Sequence, residues 1–146
     1  MKALEIIQDK LIGTFYTRFS SGDSFEIKLD NDLWLIAQNV VSENEEIFNK
    51  FLENNYQSYN NAIDQELIAK NVSLTALMRQ VIIDVNLDDD CSLIITFNNG
   101  EKLVFTTDTK IVDWHWALKR TLTDPYLEFI ISCFNKGEVE ITKKIE

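Results

Sequence analysis

Two stretches of the chain follow one plan of apolar and polar positions. In residues 24–38, SFEIKLDNDLWLIAQ, Phe25, Ile27 and Leu29 alternate with Glu26 and Lys28. In residues 92–107, SLIITFNNGEKLVFTT, Leu93, Ile95 and Phe97 alternate with Ile94 and Thr96. A period of two is the mark of a half-buried strand. Each strand runs into a turn, Asp30-Asn31-Asp32 in the first and Asn98-Asn99-Gly100 in the second, whose residues tolerate positive φ. A second apolar strand follows each turn. The pattern therefore predicts two hairpins.

Each hairpin is preceded by another strand-like run, residues 11–19 and 80–87, with Phe19 and Leu87 each five residues ahead of the matched Ser24 and Ser92. Each block reads as a three-stranded meander followed by a helix start. Ser42 with Glu45 forms a capping box, and Asp113 stands as an N-cap at the corresponding point of the second block. The expected fold is α+β: a mostly antiparallel sheet from two β-β-β-α-like units, with helices packed on it. The chain is expected to be a single domain, 1–146, with an internal pseudo-repeat of 11–55 and 77–122.

The first helix, about 43–55, sets Ile47, Phe48, Phe51 and Leu52 on one face and Glu43, Asn44, Glu45, Glu46 and Glu53 elsewhere, an amphipathic core helix. Residues 56–72 begin as a polar connector, and Ile63, Leu67 and Ile68 suit a further short helix. After Asp113, Trp114, Leu118 and Leu122 fall at i, i+4 and i+8, so Trp114 is expected in the core. His115 and Trp116 then lie about 100° and 200° around that helix, with at least one near the surface. The C-terminal segment has two readings. Asp124 as cap, Pro125, and then Leu127, Ile130, Ile131 and Phe134 suit a helix. Leu127, Phe129, Ile131 and Cys133 alternating into Asn135-Lys136-Gly137, with Val139 and Ile141 beyond, suit a hairpin, and the β-branched Ile130-Ile131 pair favours it.

Charge narrows the range of partners. The chain has 146 residues, 14 basic and 24 acidic, a formal net charge of -10, with 45% hydrophobic residues, enough for one core. Such a surface disfavours nucleic acid and anionic membranes; it fits a cationic partner, no charged partner, or an acidic excess that serves solubility alone. Cys91 and Cys133, outside any C-x-x-C, fit reduced thiols in a cytoplasmic compartment. Glu5 and Asp9 interrupt the N-terminal apolar stretch, as they would not in a signal peptide, and no run approaches the roughly 18 apolar residues of a membrane span. The expectation is a soluble cytoplasmic protein.

Candidate chemistry is sparse. His115 is the only histidine, with no nucleophile in a recognisable context, so it is expected to be a partly buried structural or interface residue. One histidine and two distant cysteines lack zinc-ligand spacing, and the isolated glycines make no phosphate loop. No metal, no cofactor and no enzymatic activity are expected. Asp88, Asp89 and Asp90 lack the alternation, glycine and closing glutamate of a calcium loop. They read as a solvated loop or as an acidic patch aimed at a basic partner, with Glu43, Glu45 and Glu46 adding to its field.

The pattern Leu77-x-x-x-Val81-x-x-Asp84 … Leu93-x-Ile95-x-Phe97-x-Asn99-Gly100-x-x-Leu103 resembles bacterial immunity proteins of the contact-dependent or polymorphic-toxin type. The resemblance covers residues 77–107, with a weaker copy near 11–36. It implies a cognate, basic protein toxin as partner and occlusion as mechanism, with an acidic surface steering the encounter and an aromatic anchor holding it. The candidate partner-binding residues are Asp88, Asp89, Asp90, Glu43, Glu45, Glu46, Trp34, Trp116 and His115, with core packing the other reading of each tryptophan. A homo-oligomer is left open. The alternatives are a non-catalytic adaptor or structural subunit of a larger assembly, and a small enzyme using His115 with Asp113 or Cys91.

Overall fold

The computed structural model describes residues 2–55, 64–109, 113–122 and 124–142. The chain runs α1 (Lys2–Leu11), β1 (Tyr16–Ser21), β2 (Phe25–Leu29), β3 (Trp34–Ala37), β4 (Val40–Ser42), α2 (Glu45–Asn55), α3 (Gln65–Ala76), β5 (Ile82–Leu87), β6 (Leu93–Phe97), β7 (Lys102–Phe105), β8 (Trp116–Lys119), β9 (Phe129–Asn135) and β10 (Glu138–Ile141). The strands form two antiparallel sheets, of order β1-β2-β3-β8-β9-β10 and β4-β7-β6-β5. The fold is α+β, and β1-β2-β3 and β5-β6-β7 are the two meanders that the alternation predicts.

The two meanders are built alike down to single hydrogen bonds. Leu29 and Phe97 each accept the bond that closes a turn, from Asp32 N–H (3.0 Å) and Gly100 N–H (2.9 Å). Asp32 and Gly100 both have positive φ, 67° and 87°, a region that asparagine, aspartate and glycine enter most readily. The Oδ1 of Asn31 accepts the N–H of Leu33, and that of Asn99 the N–H of Glu101. Even the irregularities match, between Tyr16 and Arg18 in β1 and between Ile82 and Asp84 in β5.

The strand after each meander crosses into the other sheet. β4 pairs with β7, Val40 opposite Phe105, while β8 pairs with β3, Trp116 opposite Ala37. The crossings are anchored in the same way: Gln38 N–H bonds to His115 O (2.9 Å) and Thr106 N–H to Asn39 O (3.3 Å). Where the blocks meet below, Gly13 N–H bonds to Ile82 O and Arg79 N–H to Tyr16 O (2.8 and 2.9 Å). A continuous core of Ile7, Leu11, Tyr16, Leu35, Leu74, Ile95, Phe97, Phe105, Trp116 and Ile131, among others, draws on both sheets, α1 and α3.

Three expectations are corrected. The second meander is followed by β8, not by a helix capped at Asp113. Trp114 is half-buried, Trp116 and Leu118 are fully buried, and Leu122 is exposed. β8 lies inside the six-stranded sheet and is buried on both faces, so its residues do not alternate and a helical stripe fits them by coincidence. The first helix is not a core helix. Its inward stripe is Glu45, Phe48, Asn49 and Leu52, and it packs chiefly on α3. Ile47 and Phe51 stand in solvent, 63% and 58% exposed. On the inward stripe Glu45 meets the Lys70 ammonium of α3 at 2.6 Å, so a charged pair occupies a place where an apolar contact was expected.

The N-terminal residues form α1, with Ala3, Ile7 and Leu11 buried at i, i+4 and i+8 and Glu5 and Asp9 on the solvent side. The helix around Leu67 and Ile68 is α3, capped by Asp64, whose carboxylate accepts the N–H of Leu67 (3.0 Å). The polar connector expected from residue 56, with Ile63, lies outside the described residues as far as residue 63. The C-terminal segment forms the hairpin β9-β10. Among the described residues, no helix is long and apolar enough to cross a membrane.

Candidate binding surface

The acidic run is a tightly bonded corner. β5 ends at Leu87, and Asp88 Oδ1 then accepts the N–H groups of Asp90 and Ser92, both at 2.9 Å. Cys91 N–H closes the turn on Asp88 O (3.0 Å), and Cys91 takes φ 64°. All three aspartates are exposed. The turn is docked from outside as well: Asp90 O accepts the N–H of Gly137 (2.9 Å) and the hydroxyl of Thr107 (3.0 Å). The β9-β10 turn and the residues after β7 are thereby brought alongside.

Two further carboxylates join the corner, Asp108 and Glu138. Lys136 stands between Asp90 and Asp108, at 3.6 and 3.7 Å, with half its side chain exposed. Exposed pairs of this kind contribute about 0–1 kcal/mol. Among the described residues, one ammonium stands against five carboxylates at this corner. Asp88, Asp90 and Glu138 all bear on Cys91: after burial, their charges are what raise its thiol above the usual range.

Beneath the corner the side chains are buried and neutral. Trp116 Nε1–H donates to Cys91 O (2.8 Å), fixing the turn to the core. Burial, with Cys91 and Glu138 adding, pushes the Cys133 thiol up to about 12. His115 is 6% exposed, and its Nδ1 has no hydrogen-bond partner among the described residues. Burial holds it below 6.5, Lys136 acts in the same direction, and Asp108 opposes them. Thiols with raised and an imidazole with lowered affinity for charge do not make an activated thiolate–imidazolium pair. No group of three or more metal-ligating side chains converges among the described residues.

The state of His115 has a consequence for stability. Its folded pKa lies below 6.5, so the unfolded chain takes up a proton that the fold resists. The stability it contributes is complete above pH 6.5 and is lost as the pH falls below that value. Asn39 occupies the matching place in the other crossing, which makes His115→Asn the informative variant. Urea midpoints from about pH 7.5 to about pH 5 should fall less steeply in the variant than in the parent. Parallel slopes would show that His115 does not couple folding to protons.

The other candidate residues lie elsewhere. β4 and β5 are the opposite edges of the four-stranded sheet and run in opposite directions. Glu43, after β4, is therefore at the far end from Asp88, after β5. Glu43 and Glu46 are exposed, the latter 3.3 Å from Lys50. Glu45 is 2.6 Å from the Lys70 ammonium, with only 15% of its side chain exposed. The structure does not add these glutamates to the field of the aspartates. Trp116 is wholly buried and His115 nearly so, and neither presents a surface in this conformation. Trp34 is half-buried, its ring 5.7 Å from the Lys28 ammonium, at the opposite end of β8 from Trp116.

Asp108, Lys136 and Glu138 are members of the corner that sequence reasoning passed over. Each lies far along the chain from residues 88–90, and only strand pairing assembles them. No family model matches the chain, and neither a curated protein nor a solved structure matches it.

Proposed function

We propose that the chain is a cytoplasmic immunity protein that binds a basic protein toxin and neutralises it by covering its active site or substrate groove. The observation that carries this reading is the pre-organised acidic corner. Asp88, Asp89 and Asp90 sit on a turn already held by hydrogen bonds, with Asp108 and Glu138 beside it, so little ordering of the backbone accompanies docking. A net charge of -10 adds long-range attraction toward a cationic surface. The mode of action is binding, not catalysis, in keeping with the neutral state of the groups beneath the corner.

The test is affinity capture with the tagged protein, from lysate of its source organism, at about 50 and about 300 mM salt. An Asp88→Asn/Asp89→Asn/Asp90→Asn variant runs in parallel. Asparagine keeps the Oδ1 acceptor of the turn and removes the charge. The expected result is one basic toxin, captured less at the higher salt, held at least about tenfold more weakly by the variant, and inhibited on mixing. Capture that ignores both salt and the substitutions would overturn the reading. So would a captured assembly whose activity the protein leaves unchanged, which is the result an adaptor subunit gives.

A further inference from the structure

The two sheets have four outer strands, β1 and β10 in one and β4 and β5 in the other. Three of them give at least one backbone carbonyl to a donor from outside the sheet. Tyr16 O of β1 accepts the N–H of Arg79 (2.9 Å), and Val40 O of β4 accepts the ammonium of Lys70 (2.7 Å). On β5, Val85 O accepts the side-chain amide of Gln8 (3.0 Å) and Ile82 O the N–H of Gly13 (2.8 Å). Such cover is the usual protection of an edge strand against a stray partner.

β10 has no such bond among the described residues. α1 lies against it, with no bond between the two among the described residues. Thr142 N–H bonds to Ile130 O (3.0 Å), and Glu140 and Ile141 stand opposite Ser132 and Ile131. In an antiparallel ladder, backbone groups alternate between facing the neighbour and facing away. Those of Glu140 and Thr142 thus point at β9 and those of Ile141 outward; side-chain exposure keeps alternating from Glu138 to Ile141 across the irregularity between Glu138 and Glu140, which groups Val139 with Ile141. The side chains divide the other way: Val139 and Ile141 pack on the core, while Glu138 and Glu140 are exposed. The bond from Gly137 N–H to Asp90 O joins the start of this edge to the acidic corner.

We infer that β10 is a docking edge for an extended basic segment of a partner protein, which adds to the six-stranded sheet as a further strand. Backbone bonds form to Val139 and Ile141, and lysine or arginine at alternate positions of the segment lies against Glu138 and Glu140. The inference rests on the acidic-docking reading and names the part of that surface that makes the contact. A second copy of this chain is a poorer occupant, since edge-to-edge pairing sets glutamates against glutamates.

The experiment uses the full chain, labelled with 15N, and a synthetic peptide of about eight residues in which lysine and threonine alternate. A counterpart N-methylated throughout keeps the charge and lacks backbone donors. The expected result is amide exchange at Val139 and Ile141 slowed at least about tenfold by the peptide. Binding should weaken about fivefold in Glu138→Gln/Glu140→Gln and be lost with the N-methylated peptide. Equal binding of both peptides, with shifts confined to residues 88–90, would overturn the edge and leave the acidic corner standing. No binding would also overturn it, and the capture experiment then decides the corner separately. Protection of Val139 and Ile141 that grows with protein concentration alone would assign the edge to a second copy instead.

Discussion

Trp116→Ala should lower the unfolding free energy by about 3–5 kcal/mol, a large share of what a domain of this size holds. Trp116 is 0% exposed and stands opposite Ala37 on one neighbouring strand and Cys133 on the other. Alanine removes the largest fully buried side chain of the core and leaves a cavity beneath the acidic corner. It also removes the indole N–H that Cys91 O accepts at 2.8 Å, leaving that carbonyl to find another donor. Trp116→Phe separates the two effects: it retains much of the packing and loses the bond, for about 1–2 kcal/mol. Urea unfolding measures both. A loss below about 1 kcal/mol for alanine would mean that the site collapses around the gap and that Trp116 does not organise the core.

The second large effect belongs to Lys70. Its side chain is 6% exposed, and its ammonium donates to Glu45 at 2.6 Å and to Val40 O at 2.7 Å, with Glu66 at 3.8 Å. Lys70→Ala leaves a largely buried carboxylate without its cation and should cost about 3–5 kcal/mol. Lys70→Met with Glu45→Leu removes both charges, and most of the loss should return, since the pair's desolvation roughly offsets its attraction. A double-mutant cycle reads the coupling, and additive losses would show that the two side chains act independently.

The strands that sequence patterning reached are those with one face in the core. Phe25, Ile27 and Leu29, and Leu93, Ile95 and Phe97, alternate because only every second residue must be apolar. The Asn31 and Asn99 turns were legible for an equally local reason. β8 was not, because Trp116-Ala117-Leu118-Lys119 is covered on both faces. A buried lysine looks like a solvent position, and nothing nearby in the chain announces that Lys119 donates to Asp124 O (2.6 Å). α1 carried a readable stripe in Ala3, Ile7 and Leu11 that the charges of Glu5 and Asp9 obscured. Of the acidic corner, the aspartates at 88–90 were visible and their companions Asp108 and Glu138 were not. Glu45 reads as a surface position because its partner Lys70 lies on another helix. Contacts between distant segments leave no local trace, and the bond from Lys119 to Asp124 shows that a short-range one can be hidden as well.

The exchange of β4 and β8 between the sheets also governs how the chain acquires its shape during synthesis. Trp34 cannot meet Lys119, nor Val40 meet Phe105, until the later segment has left the ribosome. Until then the first meander waits with β3 as a bare edge, Trp34-Leu35-Ile36-Ala37, its least polar strand. Non-local pairing of this kind slows folding, and an apolar edge held open in the meantime invites aggregation. The nascent first half is therefore the most vulnerable form of the molecule, and its protection comes from the second half arriving in time.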